Sequence, residues 1–204
     1  MAIEMLNIVN ACLATMGETP LNTLEEDHSY KAAAEDKVRR AHDSVCSRSL
    51  WFNTEWVEAV PQADTKQIYL PGDVQKVQAR SRCGNYRIVQ RGRRLYDVGR
   101  NRYEFDRSVV IKISRKLDFD LLPYEAQQFI NDDAVLAFQS DFDGDRIKYD
   151  RLAAYRQQSL YLLNAEDIRQ KKINLLARAS VQRLQNENFN YTGHPWHSHV
   201  TFPG

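Results

Sequence analysis

The stretch that decides the fold is Cys46-Ser-Arg-Ser-Leu-Trp-Phe-Asn-Thr-Glu-Trp-Val-Glu-Ala-Val60, because the periodicity of the chain changes inside it. Before it, apolar residues recur every three or four positions, which is the spacing of an amphipathic helix. After it, short runs rich in β-branched and aromatic residues alternate with turn signals about 7–12 residues apart. The sequence therefore predicts a change from helix to sheet at Trp51-Phe52-Asn53.

The segment before this change predicts two helices joined by a short turn. Ala2–Met16 places its apolar residues on one face, and Gly17 and Pro20 suit a left-handed cap followed by a stop. Thr23-Leu-Glu-Glu26 matches a capping box, in which a hydroxyl and a carboxylate satisfy free backbone N–H groups. A second helix is therefore expected from that box to about Ser47.

The segment after the change predicts antiparallel sheet and then helix again. Strand-like runs, with the spacing of a β-meander or small barrel, occur at Trp56–Val60, Gln67–Leu70, Tyr86–Gln90, Leu95–Val98 and Val109–Ser114. Pro123 suits the first position of a later helix, and Asp141-Phe-Asp-Gly-Asp145 interrupts that helix. A long helical pattern follows from about Arg146 to Gln185, with a second start expected at Asn164.

These patterns predict an α+β fold: an antiparallel helical bundle with an inserted antiparallel β-sheet or small barrel domain and an extended C-terminal tail. The expected divisions are a helical hairpin over 1–53, a β domain over 54–117, further helices over 118–188 and a tail over 189–204. The tail contains no Asp, Glu, Lys or Arg but carries four aromatic residues, namely Phe189, Tyr191, Trp196 and Phe202. Because aromatics exposed together favour aggregation, we interpret the tail as a docking arm with Trp196 as its anchor.

Composition excludes several classes of protein. With 204 residues, 43% hydrophobic and 27% charged, the chain is neither collagen-like nor wholly disordered. No apolar run approaches the ~20 residues of a membrane helix, and the first residues lack the features of a signal peptide, so no membrane anchor is expected. The three cysteines, Cys12, Cys46 and Cys83, form no CxxC pair, which predicts a reducing compartment without a disulfide framework or zinc finger.

Charge is distributed unevenly along the chain. Residues 76–116 carry thirteen Lys/Arg against three acids, although the whole chain has a net charge of only +1. Such an asymmetry indicates a surface that meets a partner. The arginines of this segment, interleaved with Tyr86, Tyr96 and Tyr103, are Arg80, Arg82, Arg87, Arg91, Arg93, Arg94, Arg100, Arg102 and Arg107.

Three interpretations of this basic segment remain open from composition. Arginine neutralises phosphates and tyrosine stacks on bases, a combination found in proteins that bind single-stranded nucleic acid. Arginine and tyrosine are also enriched at protein–protein interfaces. A merely solvated face is the third interpretation. The sequence alone does not separate a nucleic-acid-binding module from a protein interface.

Two acidic clusters have ordinary explanations. Asp141-x-Asp143-Gly-Asp145 resembles a calcium loop, but its glycine is fourth and its twelfth residue is Leu152, so an acidic turn before a helix is the better interpretation. Asp118 and Asp120 are of the type used in glycoside hydrolysis, yet no cleft is indicated. We expect their carboxylates to accept backbone hydrogen bonds at the junction before Pro123.

The remaining candidate groups predict no chemistry. His194, His197 and His199 resemble a metal-binding cluster, but no cysteine or acid completes a coordination shell. His42 and Cys46 are four apart on a predicted helix, a spacing that does not by itself activate a thiol. The chain contains no GxGxxG, Walker loop, HExxH or GxSxG motif. We therefore expect no catalytic residue, cofactor or metal, and a glycan hydrolase is the weakest alternative.

Four short strings follow one another in order over residues 3–185. They are Ala11-Cys-Leu-Ala-Thr-Met-Gly-Glu-Thr-Pro20-Leu-Asn-Thr-Leu-Glu25, Ser49-Leu-Trp51-Phe52-Asn53, Asp118-Phe-Asp120-Leu-Leu-Pro123 and Asn174-Leu-Leu. Together they resemble the tail tubular protein A family, the head-to-tail adaptors of short-tailed bacteriophages. The first is similar to the family opening, the second to its Gly-Trp-x-Phe-Asn, the third to its Asp-Tyr-Asp-x-x-Pro and the fourth to its Asn-(Met/Leu)-Leu. The basic segment and the aromatic tail match no family motif.

The resemblance implies a structural protein of the virion tail, made in the cytoplasm of a bacterial host. It implies a ring of twelve copies between the portal protein and a tail nozzle protein of the tail tubular protein B type, around a channel through which genomic DNA passes without sequence-specific binding. The motif residues that carry the resemblance are Gly17, Pro20, Trp51, Phe52, Asn53, Asp118, Asp120 and Pro123. The surfaces that we expect to meet neighbouring subunits or partners are Arg91, Arg93, Arg94, Arg100, Arg102 and the four tail aromatics. A ring needs two different faces on each copy, and a basic sheet with acidic helices supplies them.

Overall fold

The computed structural model describes residues 3–79 and 87–171 of the chain. Helices in these ranges are α1 (Met5–Thr15), α2 (Lys31–Cys46), α3 (Tyr124–Phe142) and α4 (Arg146–Gln170), with a short 3-10 helix at Phe119–Leu121. Strands are β1 (Thr54–Ala59), β2 (Val74–Ala79), β3 (Ile88–Arg91), β4 (Arg94–Asp97) and β5 (Val109–Arg115). The fold is α+β, as the sequence predicts. The helical pattern beyond Lys171 and the tail lie outside the described residues.

The helix α1 ends as predicted, whereas α2 begins later than predicted. Gly17 adopts a φ of +76°, a left-handed conformation that glycine takes without strain. The capping-box prediction at Thr23–Glu26 is wrong, because α2 begins at Lys31 and the Glu26 carboxylate instead accepts a hydrogen bond from the Asn22 backbone N–H (3.1 Å). Leu21 and Leu24 pack onto the helical core, and this packing holds the segment as a loop.

The apolar faces of α1, α2 and α3 share one core, whereas α4 contributes little to it. Val9, Val38 and Phe129 are fully buried in this core. Within α4, the buried residues are Ser159 and Leu163. No helix in residues 3–79 and 87–171 is long and apolar enough to cross a membrane.

The turn between α3 and α4 is the acidic turn that the sequence predicts. Gly144 takes a φ of +67°, and the Asp145 carboxylate accepts hydrogen bonds from the backbone N–H groups of Ile147 (2.8 Å) and Lys148 (3.1 Å). This carboxylate satisfies donors that the first turn of α4 leaves free. The predicted second start at Asn164 is wrong, because α4 continues through it without a break.

The strands in the described residues form two antiparallel sheets, and the barrel prediction is not confirmed. One sheet has the order β1-β5-β2, and the other is the β3–β4 hairpin. The strand β2 was not predicted, because a register shift between Val74 and Lys76 breaks the alternation of apolar residues. The predicted strand Gln67–Leu70 is wrong: it makes isolated bridges at Gln67 and Tyr69 only. A second apolar core lies under these strands, around Leu95, Phe105, Ile111 and Ile113.

The Asn53 side chain connects the helical part to the sheet. Its Nδ2 donates to the backbone carbonyls of Cys46 (2.7 Å), at the end of α2, and Arg115 (3.1 Å), at the end of β5. Its Oδ1 accepts from the Leu50 backbone N–H (3.1 Å). Asn53 is only 3% exposed, so no water replaces these bonds easily. Trp51 and Phe52 beside it are half-buried against the helical core.

His42 makes a second connection between the helices and the strand β5. Its Nε2 donates to the backbone carbonyl of Leu117 at 2.8 Å, just after β5. Burial lowers the pKa of His42, and the positive charge of Lys116 acts in the same direction, while the bond to Leu117 opposes the shift. The folded protein therefore favours the neutral imidazole at this position.

We expect Asn53→Ala to destabilise the protein by about 2–4 kcal/mol, because it leaves three buried backbone groups without partners at about 1–3 kcal/mol each before relaxation. Urea unfolding followed by circular dichroism measures the loss. Asn22→Ala, in an exposed loop, is the matched control and should change stability by less than about 0.5 kcal/mol. Equal stabilities for the two variants would contradict this role of Asn53.

We expect stability to fall through His42 as the pH drops below about 6.5, because burial lowers the pKa of this imidazole in the folded protein. Below about pH 6.5 the unfolded chain binds a proton at this imidazole that the folded site resists, so the free energy of unfolding decreases as the pH falls. His42→Gln keeps an amide donor for Leu117 and should remove most of this pH dependence. His28→Gln is the control and should retain it. The idea is wrong if wild type and His42→Gln lose stability equally over this range.

Candidate interaction surface

The β3–β4 hairpin places the arginines of the basic segment at one tip. Its two-residue turn is Gly92-Arg93, and Gly92 has a φ of +60°. A positive φ at the first central residue is what a type II′ turn requires, and glycine adopts it without strain. Arg91 and Arg94 are directly opposite each other across the turn. We call Arg91, Arg93 and Arg94 the arginine tip.

The arginine tip has no acidic partner within the described residues. The ion pairs found there involve none of its three side chains. Like charges directly opposite each other in a hairpin are destabilising. Arg91 and Arg93 are exposed and Arg94 is half-buried. The tip is therefore a concentration of positive charge that the described part of the chain leaves uncompensated.

Two tyrosines support the arginine tip from below. The Arg91 guanidinium lies over the Tyr96 ring, 3.5 Å from its centroid, and that of Arg94 lies 4.5 Å from the centroid of Tyr103. The two rings meet edge to face at 4.8 Å. Cation–π contacts of this kind hold the guanidinium groups in fixed positions. Tyr96 is only 5% exposed, so its face is not free to stack on a base.

Asp97 is a buried acid inside the basic segment, and the sequence analysis missed its role. Its Oδ1 accepts backbone hydrogen bonds from Arg87 (3.2 Å) and Gly99 (3.0 Å), and Asp97 is fully buried. The Asp-x-Gly spacing of Asp97-Val-Gly99 is the signal that points to this side-chain turn. The carboxylate fixes the loop that follows β4.

Arg100 and Arg102 differ from the arginine tip because acids compensate them. Arg102 Nη2 donates to Asp106 Oδ2 at 2.7 Å, and Arg100 Nη1 lies 3.9 Å from the same oxygen. Arg100 Nε also lies 3.9 Å from Asp97 Oδ2. The structure thus brings Arg91, Arg93 and Arg94 together and sets Arg100 and Arg102 in a separate, largely neutralised cluster.

A second charged surface lies on the long loop between α1 and α2, which the sequence analysis did not single out. Residues 1–30 contain five acids and no Lys or Arg. Glu18, Glu25 and Asp27 are exposed there. The Glu18 carboxylate Oε2 lies 3.6 Å from His28 Nε2. We call residues 18–27 the acidic loop.

The acidic loop is held in place by polar and apolar contacts. The Asn10 side chain binds the Leu21 backbone twice, donating to its carbonyl and accepting from its N–H, each at 2.8 Å. Leu21 is buried in the helical core. The motif residues Gly17 and Pro20 lie at the start of this loop. The chain therefore enters the acidic loop through the string that resembles the family opening.

The other predicted site residues lie apart from these two surfaces. Trp51, Phe52 and Asn53 lie at the helix–sheet junction. Asp118 and Asp120 are exposed. The prediction that their carboxylates accept backbone hydrogen bonds is wrong: the 3-10 helix at Asp118 has no side-chain cap, and within the described residues neither carboxylate accepts a backbone N–H. Pro123 is the N-cap of α3, one position before the predicted place. Residues outside the described ranges are Arg80, Arg82, Tyr86, Phe189, Tyr191, His194, Trp196, His197, His199 and Phe202.

The His42–Cys46 pair does not form an activated nucleophile. Both side chains contact the Leu117 carbonyl, His42 at 2.8 Å and Cys46 Sγ at 4.0 Å. Burial raises the pKa of the Cys46 thiol, so the unreactive protonated form is favoured. The pair is a packing contact between α2 and the segment after β5.

Comparison with known proteins identifies the family. A family model described as tail tubular protein matches residues 6–183. The chain is also similar to the tail tubular protein A of Klebsiella phage KP34, with 24% identity over 185 residues that cover 90% of this chain and 97% of the relative. The chain therefore belongs to the tail tubular protein family and is a structural protein of a bacteriophage tail.

Proposed function

We propose that this tail protein is the head-to-tail adaptor of a short-tailed phage. Twelve copies form a ring between the portal protein and the tail nozzle protein, and the ring surrounds the channel through which the genome leaves. Family membership over residues 6–183 supports this proposal. The proposal includes the predicted division of the chain into a helical hairpin (1–53), a β domain (54–117), further helices (118–188) and a tail (189–204).

The observation that carries the proposal is the uncovered surface of α4. Ile147 is 83% exposed and Tyr161 is 70% exposed, and Tyr155 and Leu162 are about half exposed. From Ala153 to Ala165 the helix carries a single charge, Arg156, which is paired with Asp133. Large apolar and aromatic side chains on a surface poor in charge are typical of protein interfaces.

A ring places specific demands on such surfaces. Each copy presents one face to the preceding copy and a different face to the following one, so the contact is heterologous. The chain offers several distinct exposed features, which are the outer side of α4, the arginine tip and the acidic loop. Several distinct surfaces on one chain suit a subunit that contacts more than one neighbour.

The alternative function, a nucleic-acid-binding module, is less well supported by the geometry. A module of this kind needs exposed aromatic rings on which bases can stack. Here Tyr96 is buried, and the Arg94 guanidinium covers the ring of Tyr103. Asp106 compensates Arg100 and Arg102. A gel shift with single-stranded DNA that weakens steeply with salt would favour this alternative. We propose that genomic DNA passes the ring without sequence-specific contacts.

We expect native mass spectrometry of the full chain to detect a ring of twelve copies, either alone or after addition of the portal protein. The physical reason is the apolar outer side of α4, which gains stability when a neighbour covers it. Tyr161→Glu together with Leu162→Glu should abolish the ring without lowering the melting temperature, because both side chains are exposed.

Glutamates at Gln62 and Ala63, which are exposed in the loop after β1, add the same charge away from α4; they are the control and should leave assembly intact. A chain that stays monomeric with and without the portal protein would contradict the adaptor proposal.

We also propose that Phe189–Gly204 is a docking arm for a neighbouring subunit or the portal protein. The support is its sequence, which joins four aromatics to an absence of formally charged side chains. Deletion of residues 190–204 should leave the melt of the monomer unchanged and abolish attachment. Normal assembly of the truncated protein would show that the arm is not needed.

A further inference from the structure

We propose that the arginine tip of one copy docks onto the acidic loop of the next copy. The contact joins Arg91, Arg93 and Arg94 to the carboxylates of Glu18, Glu25 and Asp27 across the interface. This inference rests on the ring assembly proposed above and identifies one contact between its neighbours.

The arginine tip is prepared for a carboxylate partner. The tyrosine contacts at 3.5 and 4.5 Å fix two of its guanidinium groups before any partner arrives, so little side-chain entropy remains to be lost. A planar guanidinium over a ring still presents its N–H edge, which pairs with both oxygens of a carboxylate. Placing Arg91 opposite Arg94 costs stability in the isolated copy, and an acidic partner removes that cost.

The acidic loop is equally prepared, with the opposite charge. Asn10 and Leu21 hold its backbone, and Glu25 and Asp27 are exposed. No ion pair within the described residues involves Glu25 or Asp27. Nor does any ion pair in the described part of the chain join this loop to the arginine tip within one copy. Two rigid surfaces of opposite charge, each without its counterpart in the described part of its own chain, are complementary between copies.

The features of the tip favour a protein partner over a nucleic acid. The tyrosine faces that would hold bases are covered by the arginines themselves. A carboxylate surface such as the acidic loop needs no free ring face, since it pairs with the N–H edges of the guanidinium groups.

Charge reversal tests the contact, because a heterologous interface allows two defective copies to complement each other. Variant one carries Glu25→Arg and Asp27→Arg, and variant two carries Arg91→Glu and Arg93→Glu. Each alone should lose the ring peak in native mass spectrometry, since both of its surfaces then have the same sign. Mixed in equal amounts, they should restore a ring of alternating copies, and one chain with all four changes should assemble alone.

The control variant changes the net charge by the same amount at a different place on the surface. Arg39→Glu with Arg40→Glu alters two exposed arginines of α2 by the same amount as variant two and should assemble like wild type. All measurements are made with and without the portal protein, after thermal melts show that each variant is folded. Either of two results overturns the inference, namely normal rings from both variants alone or no ring from their mixture. A wild type that forms no ring at all instead contradicts the adaptor proposal.

If a charge-reversal variant fails to fold, a crosslinking measurement tests the same contact. Arg93→Lys keeps the charge and supplies an amine, which a carbodiimide joins directly to a touching carboxylate. In rings made from isotope-labelled and unlabelled copies, mass spectrometry should find a bond between position 93 of one copy and Glu25 or Asp27 of another. Bonds from position 93 only to other carboxylates would overturn the proposal.

Discussion

The hydrogen bonds of the buried Asn53 amide are the constraint on which the arrangement of helices and sheet depends. One side chain holds the end of α2, the entry to β1 and the exit from β5 through Cys46, Leu50 and Arg115. The Cys46 carbonyl is among the last of α2, which have no partner within the helix. The junction is therefore fixed by polar bonds, and the half-buried Trp51 and Phe52 shield it.

The exposed charges of the protein are held on rigid supports. Tyr96 and Tyr103 hold the arginine tip, Asp97 fixes the loop beside it, and Asn10 fixes the acidic loop. Rigid presentation costs little entropy on association, which suits a subunit that must join identical neighbours in one register. The outer side of α4 adds an apolar surface poor in charge. In the proposed ring, the apolar surface supplies a non-directional attraction and the charged surfaces select the neighbour and its orientation.

Several features followed from local sequence because local physics controls them. The end of α1 at Gly17, the turn at Asp141–Asp145 and the alternation along β5 were all predicted. The errors arose where distant contacts prevail over a local pattern. Thr23–Glu26 has the letters of a capping box, yet Leu21 and Leu24 pack on the core and the segment folds into turns instead of starting a helix. A bulge after Val74 hid β2, and Gln67–Leu70 buries its apolar residues without forming a ladder.

The sequence by itself determined the α+β class, the basic segment, the family and the absence of a recognisable catalytic motif. It did so because periodicity, charge and short motifs are properties of neighbouring residues. Only the tertiary structure decided which arginines act together, since Arg91 and Arg94 meet through strand pairing while Asp106 neutralises Arg100 and Arg102. It also decided that Tyr96 and Tyr103 hold arginine side chains, whereas composition alone had left base stacking open for them. Such roles depend on which side chains lie next to each other in space, and linear order does not contain that information.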